Sequence, residues 1–371
     1  MSNDFGKIAY VVADLKRVGP TNQTLNIIRF SGAIKNCIVF TLFDESEDTL
    51  INEYFNHGIK VICLHLSRKT ALFTGVTVLS QKLKEYKVDF VHSWGTFADI
   101  ISHYTCKKLG MKHVITLRNF PVEDMTTRMP YILGYFLALF DLHILKETRY
   151  VICCSKSIKK KMEESYGWTH LHSIQNGVDF TKFEALNRFL ARKSLNINND
   201  DFIIISTGSI IPRKRIDETI EAFSTATLRK NTKLWLLGEG NLFDELKKKY
   251  KENKNVFFLG KKANVVEYLS AADIFVSSSE SEGMPNAVLE AISCNLPVIL
   301  SDIPQHLEVL EEVTNCGMVY ELGNKKQLAE TFSGLTDERI MEMKRNTANL
   351  KNSNFTMENM GKKYEQFYRK I

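Results

Sequence analysis

Proline and glycine are scarce in this chain of 371 residues, at 7 and 19. No stretch is low in complexity either, which excludes a collagen-like, linker-like or disordered protein. Long apolar runs are also missing. The longest, Tyr131–Phe140, closes on Asp141 and His143 and is half of the roughly 20 residues a membrane-spanning helix needs. A secretory leader would start with a positive segment ahead of an apolar run. Here Asn3 and Asp4 come first, and the run Ile8–Val12 has strand length. The expected location is therefore cytoplasmic, at most peripheral to a membrane. The seven cysteines (37, 63, 106, 153, 154, 294 and 316) include no C-x-x-C pair. They read as buried free thiols of a reducing compartment. A large net charge is missing too. The 49 basic and 43 acidic side chains leave a formal +6, too little for a dedicated nucleic-acid binder. A mildly basic chain still favours an anionic ligand or an anionic membrane surface.

Several catalytic signatures are absent. There is no G-x-G-x-x-G, Walker A, H-E-x-x-H, G-x-S-x-G or EF-hand loop. Gly238-Glu239-Gly240 has only two of the glycines a dinucleotide fingerprint needs, which disfavours a nicotinamide-dependent oxidoreductase. No D-x-D occurs, so a metal held against a nucleotide diphosphate is not expected, and no metal ligands are assigned.

What is present is an alternation of short apolar runs and amphipathic stretches. Strands are predicted at Ile8–Val12, Ile38–Phe43, Val61–Leu64, Phe90–His92, Val114–Leu117, Tyr150–Cys154 and Leu171–Ile174, with helices such as Gly75–Tyr86 and Thr96–Leu109 between them. Runs that are apolar throughout suit parallel strands covered on both faces. Asn176-Gly177 reads as a tight positive-φ turn, and the polar stretch Asn187–Asp201 as the interdomain linker. The pattern restarts with strands at Phe202–Ser206, Lys233–Leu237, Val256–Leu259, Ile274–Ser277 and Pro297–Leu300. The tail Thr356–Ile371 spaces its apolar residues by three and four, as an amphipathic helix does. The fold class is thus α/β with two similar halves.

The most informative segment is Ser277–Ser301. A strand end is followed by a serine-rich loop carrying Glu282, then Gly283-Met284-Pro285-Asn286 leads through Ala287 into a helix holding Glu290. Unpaired N–H groups at such a helix entry favour an anion, and Gly283 lets a ligand approach the backbone. Glu290 is expected about two turns into the helix. Eight helical residues rise roughly 12 Å, close to the span from a ribose across a diphosphate to a sugar. Carboxylates at the two ends would accept hydroxyl hydrogen bonds; taken singly, each glutamate reads as a solvated loop residue or a helix stabiliser. A second patch, Thr207–Arg215, follows the first strand of the second half, where open α/β sheets bind ligands. Arg213 and Lys214 there can neutralise a diphosphate without a metal. A third patch, Val18–Gln23 with Gly19, reads as the equivalent loop of the first half, or as a plain turn. His92, at a strand end, reads as a base, an acceptor contact or a structural histidine.

These segments together resemble glycosyltransferase family 4, the retaining GT-B enzymes that include the glycosyl transferases of group 1. The resemblance spans nearly the whole chain. It rests on the pair Glu282 and Glu290 within EGMPNAVLEAISCNLPVILSDIPQHLE, on GSIIPRKRIDETIEAF from 208, on GEGNLFDEL from 238, on NGVD from 176 and on GPTNQ from 19. It implies two Rossmann-like domains facing a cleft, an acceptor domain at 1–185, a nucleotide-sugar domain at 186–354, and a helix at 355–371 crossing back to the first. It implies a nucleotide-diphosphate sugar, UDP-sugar favoured, as donor, with no metal and no other cofactor. Glu290 would hold the ribose, and Arg213 and Lys214 the diphosphate. Glu282 with the backbone of Gly283, Met284, Pro285, Asn286 and Ala287 would hold the sugar. Gly238 and Val265 would lie near the base, and Gly19 and Ser209 beside the phosphates or sugar. Two positions depart from the family: Ser209 stands where many members carry arginine, and Arg118 in TLRNFP where many carry histidine.

The resulting expectation is transfer of a hexose-type sugar, with retention, to a hydroxyl of a glycan or lipid-linked glycan in bacterial surface-polysaccharide synthesis. Residues 1–185 hold 23 basic and 18 acidic side chains, among them Lys16, Arg17, Arg118, Arg128 and Lys159–Lys161, so the positive excess lies in the acceptor half. With the apolar Tyr131–Leu145 this suggests contact with an anionic membrane. The other reading makes that stretch a buried core helix. Rival functions are a non-catalytic sugar-nucleotide-binding partner and a sugar-nucleotide epimerase.

Overall fold

A computed structural model describes residues 5–128, 130–183 and 186–371, the side chain of Arg128 excepted. The chain divides into two compact units, Met1–Gly177 with Met357–Ile371, and Val178–Thr356. The predicted boundary at 185 falls on residues outside the described set.

The first unit is built on strands β1 (Ile8–Val12), β2 (Cys37–Thr41), β3 (Lys60–Cys63), β4 (Phe90–Ser93), β5 (Lys112–Leu117), β6 (Tyr150–Cys153) and β7 (Leu171–Ser173). They form one parallel sheet in the order β3-β2-β1-β4-β5-β6-β7. All five residues of β1 are buried: Ile8, Tyr10 and Val12 join one core, Ala9 and Val11 the other. That explains why the strand reads as continuously apolar.

The return of the C-terminus completes the first of these cores. Helix Met357–Tyr368 buries Met357, Met360, Gly361, Tyr364, Phe367 and Tyr368. It lies against helix Gly19–Phe30. Its tyrosines join a buried polar chain over the sheet. Tyr368 shares hydrogen bonds with Tyr10 (2.9 Å) and His92 Nδ1 (2.8 Å), His92 Nε2 with Thr116 (2.7 Å), and Thr116 with Tyr364 (3.3 Å). Burial pushes the His92 imidazole down to about 3, helped by the Arg118 charge, so it stays neutral. With both ring nitrogens engaged, His92 is a structural histidine and not a base.

Other expectations are corrected in this unit. The segment from Gly19 to Gln23 is not a loop but the start of helix Gly19–Phe30, with proline in its first turn where a missing N–H costs nothing. Neither Asn176 nor Gly177 takes a positive φ, so no left-handed turn forms there. Helix Tyr131–Glu147 is not a buried core helix. It buries Gly134, Ala138, Leu142 and Leu145 and leaves Tyr131, Ile132, Leu133 and Phe136 exposed. The run Lys159–Lys161 is not a free cationic patch, since its members pair with Glu163, Glu164 and Glu123. Among the described residues no helix is long and apolar enough to cross a membrane. All seven cysteines are free thiols.

The second unit repeats the plan with β8 (Phe202–Thr207), β9 (Thr232–Leu237), β10 (Val256–Gly260), β11 (Ile274–Ser277), β12 (Val298–Ser301) and β13 (Gly317–Tyr320). Its parallel order is β10-β9-β8-β11-β12-β13. Both sheets therefore carry the Rossmann order, with a reversal beside the first strand of each. The edge strand β13 escaped the sequence reading. The polar stretch from Asn187 is not a linker. Asn187 caps helix Arg188–Ser194 by accepting from Phe189 N at 2.8 Å, and buried Arg192 donates to the carbonyls of Asn198, Asp201 and Ala271.

A Cβ on Gly361 would overlap the carbonyl oxygen of Phe30. Backbone cannot yield as a flexible side chain does. Gly361→Ala is expected to destabilise the protein by about 1–3 kcal/mol in urea unfolding, and an unchanged midpoint would contradict this account of the helix contact.

Candidate active site

In the second sheet β9 and β11 flank β8, so the connections leave its carboxyl end in opposite directions and open a crevice there. Two glycines line it. Gly208 and Gly238 have φ of 134° and 140°, and a Cβ on Gly238 would overlap the Gly208 carbonyl oxygen. The loops after β8 and β9 thus meet backbone to backbone, a closeness only glycine permits. Ser209 is exposed and lines the recess.

A short 3₁₀ turn, Pro212–Lys214, follows, ended by Arg215 in the left-handed region at φ 47°. It turns two cations onto one carboxylate. Arg213 Nη1 donates to Glu282 Oε2 (3.1 Å) and to the Ser281 carbonyl (2.7 Å). Lys214 Nζ pairs with Glu282 Oε1, and Ser279 Oγ donates to the same oxygen at 2.7 Å. The Glu280 amide donates to the Arg213 carbonyl at 2.9 Å, which locks the two loops together. Arg215 turns elsewhere, to Glu218 and Glu280. The basic run is therefore divided, and its first two members, each 16% exposed, are gathered onto the buried Glu282.

Burial pushes the Glu282 carboxyl up, but the Lys214 and Arg213 charges outweigh it and hold it at about 2. Burial lowers Lys214, against the opposing pull of Glu282. Two cations against one carboxylate leave the cluster a net +1, suited to an anion.

Behind the cluster, Ser301 Oγ donates to the Ser279 carbonyl at 2.6 Å, and His306 Nδ1 lies 3.0 Å from the Ser301 carbonyl. These supports were missed. Ser279, Ser301 and His306 all lie in or beside the segment singled out above, and the serine-rich strand end was the available signal.

Gly283 and Met284 are buried, Pro285 is the N-cap, and the helix runs Asn286–Ser293. Ala287 also lines the recess. Glu290 is the fifth residue of this helix, one turn in and not two, so the predicted 12 Å helical rise between the glutamates does not apply. Its half-buried carboxylate has no hydrogen-bond or ion-pair partner among the described residues. Burial raises it to about 7, against the pull of Lys182. Val265 opens the helix after β10, outside the lining of the recess. Gly19 belongs to the first unit, as do Asp44, Cys63 and His65, a group among the described residues able to hold a metal ion.

Comparison with known proteins bears on the family and the fold. A family model described as Glycosyltransferase Family 4 matches residues 36–182, and one described as Glycosyl transferases group 1 matches residues 187–352. The chain is 26% identical to the O-antigen biosynthesis glycosyltransferase WclY of Escherichia coli, over 98% of each chain. It is 27% identical to the UDP-Gal:alpha-D-GlcNAc-diphosphoundecaprenol alpha-1,3-galactosyltransferase of Escherichia coli, over 71% of this chain and 70% of the relative. In fold it is similar to Anabaena Alr3699/HepE, solved with UDP and glucose. The TM-score is 0.85 at 16% identity, covering 99% of this chain and all of the other.

The geometry of Glu282 carries a stability prediction. Its folded pKa of about 2 lies below the ordinary 4.5. The stabilisation is therefore complete above the unfolded value and is lost as pH falls from 4.5 toward 2. Glu282→Gln, which strands two buried cations, should cost about 3–5 kcal/mol near neutrality. Its denaturation midpoint should be flatter than that of the wild type across the acid range. Parallel pH profiles for the two proteins would refute the cluster.

Proposed function

From the premise that this chain belongs to glycosyltransferase family 4, with a group 1 second unit, and is a glycosyltransferase, we propose that it transfers a hexose-type sugar from a UDP-sugar to a hydroxyl of a glycan or lipid-linked glycan, with retention at the anomeric carbon. The premise sets aside the non-catalytic partner and the epimerase. The carrying observation is the buried Arg213–Lys214–Glu282 cluster at the carboxyl ends of β8 and β11. The relative that uses UDP-Gal and the similar fold that holds UDP support the choice of nucleotide.

In the reaction the bond between the anomeric carbon and the diphosphate oxygen breaks, and negative charge grows on the leaving UDP. Arg213 and Lys214 meet that charge, preorganised by Glu282, which already fixes their positions. The helix entry at Pro285–Ala287 adds its N-terminal dipole. The acceptor oxygen forms the new bond on the face the phosphate leaves, and its proton passes to a phosphate oxygen. No enzymatic nucleophile enters this scheme, and the two side-chain cations take the place a metal would have. Glu290, unpaired on its helix, is the acceptor for the ribose hydroxyls.

The exposed apolar residues Tyr131, Ile132, Leu133 and Phe136 suit a peripheral seat on an anionic membrane at its cytoplasmic face, where a lipid-linked acceptor would lie. Since the neighbouring lysine run is paired, the apolar face and not charge supplies most of this contact.

Calorimetry with UDP and GDP tests the donor site. UDP should bind more tightly than GDP, survive chelation, and weaken in Glu290→Ala, whereas Lys214→Ala should mainly lower turnover. A carboxyl group accepts hydroxyl hydrogen bonds freely at both oxygens only when ionised. Affinity for UDP should thus fall as pH drops below about 7, by up to about tenfold per pH unit, and Glu290→Gln should flatten that slope to what the UDP phosphate's own titration near pH 6 leaves. An unchanged slope in the variant removes Glu290 from the site. Co-sedimentation with phosphatidylglycerol vesicles tests the membrane seat. Binding by the wild type should be lost in Ile132→Glu with Phe136→Glu, and equal binding by both proteins would discard it.

A further inference from the structure

Arg118 is the first residue after β5 in the first unit. Its surroundings come from two strands that meet where the order of that sheet reverses. Thr24 lies on the helix that follows β1, and Trp94 follows β4. The carboxyl ends at such a reversal form a ligand crevice in open α/β sheets. The second unit uses its own crevice for the cluster described above; the first unit places a single guanidinium there.

That guanidinium is poorly compensated. Nη2 donates to Thr24 Oγ1 at 3.2 Å, while Nε and Nη1 are buried without a hydrogen-bond partner. No carboxylate pairs with it among the described residues. Its central carbon lies 5.3 Å from the centre of the Trp94 ring, and Trp94 Nε1 is itself buried without a partner. The groups that act on it electrically are Tyr364, Cys154, Tyr54 and Asp99. Burial raises the Tyr364 and Tyr54 hydroxyls above their ordinary values, so both are uncharged at neutral pH. Asp99 is pushed well up by burial and by Asp141, so it too favours its neutral form.

Guanidinium and indole N–H groups only donate, and an arginine cannot shed its charge. What this spot lacks is therefore an acceptor, and an oxyanion with two oxygens to offer is the acceptor whose geometry matches the guanidinium fork. The residue as a whole is half-buried while Nε and Nη1 are covered, so an oxyanion engages them as the side chain turns outward. We propose that Arg118 anchors an oxyanion of the acceptor substrate, a phosphate or a sugar carboxylate, between the helix after β1 and Trp94. The proposal rests on the reading of the first unit as the acceptor unit of a UDP-sugar transferase. It makes an acidic acceptor the preferred one.

The test uses the full chain with UDP at saturation and calorimetry against three probes: glucose 1-phosphate, methyl glucuronide and neutral methyl glucoside. The wild type should bind one of the two anionic probes at least tenfold more tightly than methyl glucoside. Preference for the first assigns a phosphate, and for the second a carboxylate. Arg118→Met should erase the preference, and Arg118→Lys should restore part of it. Because the methionine removes an uncompensated charge, the Tm of Arg118→Met should not fall below that of the wild type. Equal binding of charged and neutral probes, persistence of the preference in Arg118→Met, or a Tm loss of several degrees would each overturn the proposal. UDP affinity is read in the same titrations and should be the same in both proteins. Failure of the wild type to bind UDP would instead sink the donor reading, with the probe comparison then repeated without nucleotide.

Discussion

One carboxylate held between two cations organises the ligand face of the second unit. Glu282 draws Arg213 and Lys214 inward from a turn that would otherwise expose them, and the Arg213 backbone in turn fixes the loop that carries Glu282. Neither cation would stay buried without the carboxylate, and the carboxylate would not stay ionised without the cations. The arrangement is stable and still positive, so it attracts an anion without having to assemble around it. Much of what a phosphate needs is in place before the substrate arrives, which is what electrostatic preorganisation requires.

How much of this was legible in the sequence depends on the range of the interaction. The strands of both sheets read well because parallel strands covered on both faces must be apolar throughout, as β1 is. The edge strand β13 has one neighbour and a partly exposed sequence containing glycine, so it carries no such signal. Gly19-Pro20-Thr21-Asn22-Gln23 has the composition of a turn, yet proline is also a good first-turn residue, and the apolar residues that commit it to a helix come later at Leu25, Ile27 and Ile28. The asparagines after 187 look like a linker because cap and linker residues are the same types. For the site, Glu282, Arg213 and Lys214 were found one by one, but their mutual pairing bridges 68 positions and cannot be read from either segment. Nor could the sequence show that His92 is enclosed by tyrosines from the far end of the chain.

The helix Tyr131–Glu147 illustrates a different limit. Its apolar residues run nearly all the way round, so composition alone gives no inside and outside. The small residues Gly134 and Ala138 turn out to face inward, and the large aromatic and aliphatic ones face out. This inverts the usual division, in which bulk is buried and small or polar residues are exposed. From Tyr131 to Phe140 the helix conceals its smallest residues and displays its largest, while Leu142, Ile144 and Leu145 further on pack inward in the usual way.

The route of the chain has a consequence for its synthesis. The first unit draws its core from both ends of the sequence, and the entire second unit lies between those ends. While a ribosome is still at work, Tyr10 and His92 have emerged long before Tyr364 and Tyr368 exist. The second unit, which is continuous from Val178 to Thr356, has all its strands available first. The part of the protein made first is therefore the part finished last. A nascent chain stopped even a few residues short would carry a complete second unit beside a first unit whose apolar floor and polar tyrosine–histidine chain lie open.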